Sequence, residues 1–351
     1  MAPKSQYVLY SLCKFLTIIP FRPTTPLAST SHKIYCSFVV LTSTVLTIVT
    51  FLNNKWYSQF HHIKMSVLIL IQLNLSTFNL ITTLSGVLWK REKWHKLLND
   101  LNTMTNRNGQ SGRSATIATT SIIVSAVILV WIMYFWANYF GVVYYLKKYN
   151  VAYFHFFLMF AYSTVLSWIL SIILVEYSNL NRTVCKELQL GQSIEQMFCF
   201  LKDTVDTFND IFGWPMALII SFTTLYLVNN LDYMFLATAS LPGSIFYRLL
   251  ADAAMVLLIF TSTVFLIFMC DSVVQEAEKL QASVQKIRRI RPNLTAKEDQ
   301  DLEKLCGVII ENFPQFSVAR FFNIGRGTVL NILSTVTTFF IIMIQLDTKN
   351  N

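Results

Sequence analysis

Charge is what this sequence has least of. Asp, Glu, Lys and Arg make up 13% of its 351 residues, against about 25% in an average globular chain. A soluble domain of this size needs a polar surface that so few charges cannot cover. Residues for metal or covalent chemistry are also missing. No two cysteines have metal-ligand spacing, the five histidines form no box, and neither a Gly-rich phosphate loop nor a Ser/His/Asp grouping occurs, so no enzyme activity and no cofactor are expected. A secretory leader is not expected either. Residues 1–30 are broken by Pro20, Pro23 and Pro26 and lack a small-residue cleavage site after an apolar run.

What the chain does have is apolar surface. Hydrophobic residues make up 54% of it, with 28 Phe, 15 Tyr and 7 Trp, far too many rings for a disordered tail. Residues 34–54, 65–89, 114–146, 149–175, 211–231, 253–270 and 327–346 carry no Asp, Glu, Lys or Arg. A bilayer crossing takes about 20 residues as a helix. The runs do not alternate as barrel strands would. The fold class read here is all-α: a polytopic membrane protein with seven transmembrane helices. The run 114–146 is too long for one straight crossing, and its first residues are expected to form a solvated first turn.

Basic residues set the orientation. With the N-terminus inside, 21 of the 28 Lys and Arg lie on the cytoplasmic side and 6 outside, which favours that topology. The net charge of +9 is mostly this bias and calls for no nucleic-acid partner. In this topology Cys13, Cys36, Cys185, Cys199, Cys270 and Cys306 all fall inside or within the membrane, which excludes an extracellular disulfide framework. The organisation read here is a cytoplasmic segment 1–33, transmembrane helices 1–6 with cytoplasmic extensions over 34–271, anchor helices over 272–323, a seventh helix over 324–346 and an extracellular tail 347–351.

The inner segments are patterned. Ile194, Met197, Leu201, Val205 and Phe208 lead into the fifth span at helical spacing, and Val273, Ala277, Leu280, Val284 and Ile287 follow the sixth. These are helices prolonged below the membrane, each with one apolar stripe. A further helix opens on the capping-box signature Thr295 to Glu298 and presents Leu302, Leu305 and Ile309 on one face. That face is expected to pack within the chain or to carry subunit assembly.

In the last span Asn331, Ser334, Thr338, Ile341 and Gln345 recur at 3, 4, 3 and 4, a mostly polar stripe on an apolar helix. In lipid such a stripe faces protein or water. Interhelical hydrogen bonding and pore lining both satisfy it.

The end of the chain is more specific. Thr338-Phe339, five apolar residues and Gln345-Leu346 resemble the C-terminal signature of the insect gustatory receptor family, Thr-Tyr, five apolar residues, Gln-Phe. Phe339 and Leu346 depart from it. The upstream Phe-Ser-x-x-x-Phe-Phe-x-Ile element at 316–324 is similar to the family as well. The resemblance implies a ligand-gated, non-selective cation channel in the plasma membrane of chemosensory neurons. It implies four subunits, a homotetramer or a heterotetramer with related receptors, around one pore lined by the last helix. Partners are then a small-molecule tastant, membrane lipids and permeant cations. Gln345 with Ile341 or Ile342 would form the gate, with Thr338 and Ser334 lining the pore below it. Asp347 would either favour cations at the outer mouth or simply be solvated. Sugar-sensing members tend to carry Glu directly after Thr-Tyr, where this chain has Phe340.

A tastant is reached from outside, so polar and aromatic residues in the outer halves of the spans are the candidates. They are Gln72; Trp131, Tyr134 and Asn138; Tyr153 and His155; Tyr226, Asn230 and Tyr233; and Arg248 with Asp252, four apart and able to pair. Rings with a few polar groups suit a small bitter compound or a sugar; interfacial belts and helix packing use the same residues. Two other functions compete. A seven-span receptor signalling through a partner would lack a conducting path, but Asp-Arg-Tyr after span three and Asn-Pro-x-x-Tyr in span seven are absent. A transporter usually shows repeats and broken helices.

Overall fold

The computed structural model describes residues 4–19, 30–52, 62–108, 111–186, 191–238, 245–290 and 296–350. Among these, ten α-helices follow one another: α1 Lys4–Phe15, α2 Thr30–Leu52, α3 His62–Leu84, α4 Arg91–Asn108, α5 Ser111–Phe140, α6 Val142–Lys186, α7 Gly191–Thr238, α8 Ile245–Ile290, α9 Ala296–Glu311 and α10 Arg326–Asn350. One π-turn, Ser85–Trp89, ends α3. A two-residue hairpin, β1 Ser317–Val318 with β2 Phe322–Asn323, precedes α10. Among the described residues, six helices are long and apolar enough to cross a membrane, and α10 adds a shorter apolar stretch, Arg326–Ile342.

Three helices, α6, α7 and α8, run unbroken over 45, 48 and 46 residues, about twice the length of a bilayer crossing. Their apolar stripes continue below the membrane. Ile194, Leu201, Val205 and Phe208 of α7 and Val273, Ala277, Leu280 and Val284 of α8 are buried. Arg288 joins α8 to α9 by ion pairs with Asp299 at 2.9 Å and Glu303 at 3.2 Å, and Lys304 of α9 meets Glu195 of α7 at 3.0 Å. Thr295, first residue of the expected capping box, lies outside the described residues.

Pro215 sits inside α7. It has no N–H to give the Ile211 carbonyl one turn earlier. Lys90 supplies the donor instead: its Nζ donates to Ile211 O at 3.2 Å and also to Asp210 O. Burial lowers the Lys90 pKa, and Asp210 partly restores it.

Two helices escaped the sequence reading. In α1, Leu9 and Cys13 are fully buried, and the helix packs on α5. In α4, Trp94, Leu97, Leu98, Leu101 and Met104 are buried; their spacing of about one turn was a legible signal. The long run 114–146 divides at its other end. Gly141, with φ of 86°, separates α5 from α6, a left-handed backbone that glycine adopts without steric cost. The expected solvated first turn is packed along one face only: Ala115 and Ala118 are buried and the Ser114 and Ser171 hydroxyls lie 2.8 Å apart, while Thr116, Ile117 and Thr120 are exposed. Helix α2 opens at Thr30, four residues before the charge-free run that starts at 34, and α10 continues to Asn350.

Candidate functional site

The hairpin between α9 and α10 is the hinge of the chain's last turn. Ala319 and Arg320 occupy its tip with φ of 47° and 66°. Asn209 of α7 holds it from both sides, donating to Gln315 O at 2.6 Å and accepting from Ser317 N at 3.2 Å. Phe316 packs edge-on to Phe208, and Phe321 edge-on to Trp214. Just beyond, Arg326 Nε donates to Asp271 Oδ2 of α8 at 2.8 Å. The base of α10 is therefore fastened to both α7 and α8.

Above that base α10 touches its own chain along one narrow face. Thr328, Ile332 and Val336 are buried, a four-residue repeat against α7 and α8. Asn331, Ser334, Thr338, Ile341, Ile342 and Gln345 are all exposed. Ser334 and Thr338 each lie two residues past a buried position, about 200° around the helix. The polar stripe thus points away from the subunit's own core. Asp347 lies in α10, but its side chain is outside the described residues.

In the half of the bundle away from the cytoplasmic layer, aromatic residues of α6 and α7 converge. Phe156 lies 5.7 Å from Tyr153, 5.5 Å from Phe222 and 5.7 Å from Tyr226, ring centre to ring centre, and Phe222 stacks on Tyr226. Asn230 is buried and donates to Tyr226 O at 2.8 Å. Phe156 also lines a small cavity of about 10 Å³, with Leu129, Met159, Ile219, Met255 and Thr263 among its other walls, space for about one water. Thr263 shares a hydrogen bond of 2.7 Å with Thr223 there. Four helices, α5 to α8, therefore meet around one aromatic, lightly polar site.

Of the sequence-derived ligand candidates, Tyr153, Tyr226 and Asn230 come together here; Asp252 is half-buried on α8. The others do not. Trp131 and Tyr134 are 44% and 64% exposed and Asn138 is exposed with them; this is the outward face of α5. Its inward face carries Ala118, Ile122, Leu129 and Ile132. Spacing identified the face but not its direction. His155 turns toward α3 and is buried, 3.5 Å from Asn79, which donates to Ser43 of α2 at 2.7 Å. Gln72 is half-buried on α3. The side chains of Tyr233 and Arg248 are outside the described residues. Phe156, Phe222, Met159 and the Thr223–Thr263 pair were missed, because nothing distinguishes an apolar pocket wall from ordinary packing in sequence.

The assembly candidates Leu302, Leu305 and Ile309 are buried within the chain, on α7 and α8. They are already spent on the subunit's own fold. Ile310, 58% exposed, is an apolar residue that α9 presents outward.

Comparison with known proteins fits this geometry. The family model described as 7tm Chemosensory receptor matches residues 6–350. The chain belongs to the seven-transmembrane chemosensory receptor family. This chemosensory receptor is similar in fold to the insect olfactory receptor OR5 from Machilis hrabei. The match to its complex with eugenol has a TM-score of 0.73 at 10% identity, covering 97% of each chain. The match to that receptor without the ligand has a TM-score of 0.72 at 11% identity, covering 98% of each chain. No curated protein sequence matches. The receptor is an all-α membrane protein with seven transmembrane helices and not an enzyme.

Proposed function

We propose that this chemosensory receptor is a gustatory receptor: a ligand-gated, non-selective cation channel that detects a small tastant from the extracellular side, with the N-terminus cytoplasmic. Four copies, identical or mixed with related receptors, surround one pore lined by α10 in the plasma membrane of chemosensory neurons. The observation that carries this is the direction of the α10 stripe. The support is a helix that packs along one face through Thr328, Ile332 and Val336 and turns Asn331, Ser334, Thr338 and Gln345 outward, a mostly polar stripe that favours water or protein over lipid opposite it. A central pore supplies it. Ile341 or Ile342 with Gln345 forms the gate, and Asp347 favours cations at the mouth. The aromatic site between α5 and α8 receives the ligand. Its α7 wall continues without a break to Asn209, which holds the hairpin at the base of α10, giving a mechanical link from ligand to gate. Assembly through α9 uses its Ile310 side.

Gln345→Lys tests the pore. It places one positive charge per subunit at the constriction, where each repels a passing cation by about a few kcal/mol at an intermediate dielectric. Ligand-evoked cation current should fall by orders of magnitude at matched surface expression. Current equal to the parent's would mean that α10 does not line the pore.

A further inference from the structure

A groove of about 850 Å³ lies between α5, α6 and α8, at the end of the bundle where α4 leads into α5; with the N-terminus cytoplasmic, as proposed above, that end faces the cytoplasm. Its back wall includes the buried residues Ala118, Ser163, Ser167 and Trp168; its rim includes Ile117 and Phe265, which are exposed. All of these lie within membrane-spanning stretches, so the groove opens sideways into lipid. Its volume is in the range of a ligand site, about 300–1,000 Å³. It is therefore much larger than the small cavity beside Phe156, with which it shares Phe160, Ser163 and Ser262.

The polar groups of the groove are graded along its length. At the cytoplasmic end stands Arg113, exposed and without an ion pair among the described residues. Beside it Ser171 donates to the Trp168 carbonyl at 2.7 Å and accepts from Ser114 at 2.8 Å, so the donor aimed at an anion there is Arg113. Deeper in, the indole N–H of Trp168 is buried without an acceptor among the described residues. The hydroxyls of Ser163, Ser167 and Thr164 donate to carbonyls of their own helix; the wall they leave is largely methylene and ring surface. One end therefore suits a phosphate, and the length suits a hydrocarbon chain.

We propose that this groove binds an anionic glycerophospholipid of the inner leaflet. Its phosphate lies on the Arg113 guanidinium, which offers a charge-assisted, fork-shaped donor set, and the Ser114–Ser171 pair lies beside it. One acyl chain runs outward between Ile117 and Phe265 toward Phe160, ending against the wall shared with the aromatic site. The bound lipid completes the packing of α5 and α8 on α6. This site is distinct from the tastant site and stands whether or not the receptor conducts.

Native mass spectrometry of the purified full-length receptor, given equal amounts of phosphatidylglycerol and phosphatidylcholine with the same chains, reads the site directly. The parent should retain phosphatidylglycerol preferentially. Arg113→Gln should lower that retention about tenfold, the loss of one charge-assisted hydrogen bond. Arg182→Gln, an exposed cation on the same side but outside the groove, should leave it unchanged. Equal retention in Arg113→Gln and the parent, or equal losses in both variants, would overturn the site. A second measurement needs no variant. Phosphatidylglycerol with a photoreactive acyl chain should label peptides spanning 113–121 and 160–175. Labelling confined to other lipid-facing helices, such as α2, would reject the groove.

Discussion

Gly213 of α7 lies directly beneath Ala319 at the tip of the hairpin: a Cβ added to Gly213 would stand 2.9 Å from the Ala319 amide nitrogen. No other residue type fits there without moving the hairpin. The hairpin leads straight into α10, so this contact sets where the helix begins.

Gly213→Ala is therefore expected to act against the usual sign. In an ordinary helix interior it would stabilise by about 1 kcal/mol. Here overpacking against backbone should cost about 1–3 kcal/mol instead. The melting temperature should fall, and ligand-evoked current should fall at equal surface expression. A raised melting temperature would show that the hairpin does not seat on α7.

Lys90→Met should expose the cost of Pro215. The Ile211 and Asp210 carbonyls would lose the donor that Lys90 supplies. An unsatisfied buried acceptor costs about 1–3 kcal/mol. Adding Pro215→Ala restores an N–H for Ile211, so the double variant should recover part of the loss. Thermal unfolding in detergent of the three variants measures both effects, and additive losses would refute the pairing.

Asp100 of α4 is buried, and its Oδ2 has no hydrogen-bond partner among the described residues. Burial raises its pKa from 3.8 to about 6, with Lys96 opposing and Asp203 adding to the rise. A carboxyl raised in the folded state binds protons there that the unfolded chain has released. Its contribution to stability is therefore lost as pH rises from 3.8 through about 6. Asp100→Asn should raise the melting temperature near pH 7.5, and the gain should shrink toward zero near pH 4. A gain independent of pH would point to packing instead of charge.

The ligand site is separated from the outer face of α5 by a pair of substitutions. Phe156→Leu should raise the half-maximal ligand concentration about tenfold, the equivalent of about 1.4 kcal/mol. Trp131→Leu, on an exposed ring, should leave it within about twofold. Dose–response curves with one agonist decide between them, and the opposite pattern would move the site to the lipid-facing side of α5.

The sequence by itself determined the class and most of the helices. Scarce charge and apolar runs of bilayer length leave no other solution, because a backbone in hydrocarbon must satisfy its own hydrogen bonds. Periodicity also revealed the stripes on α7, α8 and α9 and the polar stripe of α10, since side-chain spacing follows directly from helix geometry. What periodicity cannot supply is direction. Trp131, Tyr134 and Asn138 share a face, as expected, but only the packing of α5 on α6 decides that this face points outward. The same holds for Leu302, Leu305 and Ile309, whose stripe was legible and whose partner, the chain's own α7 and α8, was not. The aromatic site draws Phe156, Tyr226 and Met255 from three helices far apart in sequence. The seating of the hairpin depends on one missing Cβ at Gly213, more than a hundred residues before Ala319. Such contacts are long-range steric facts, and only the tertiary structure contains them.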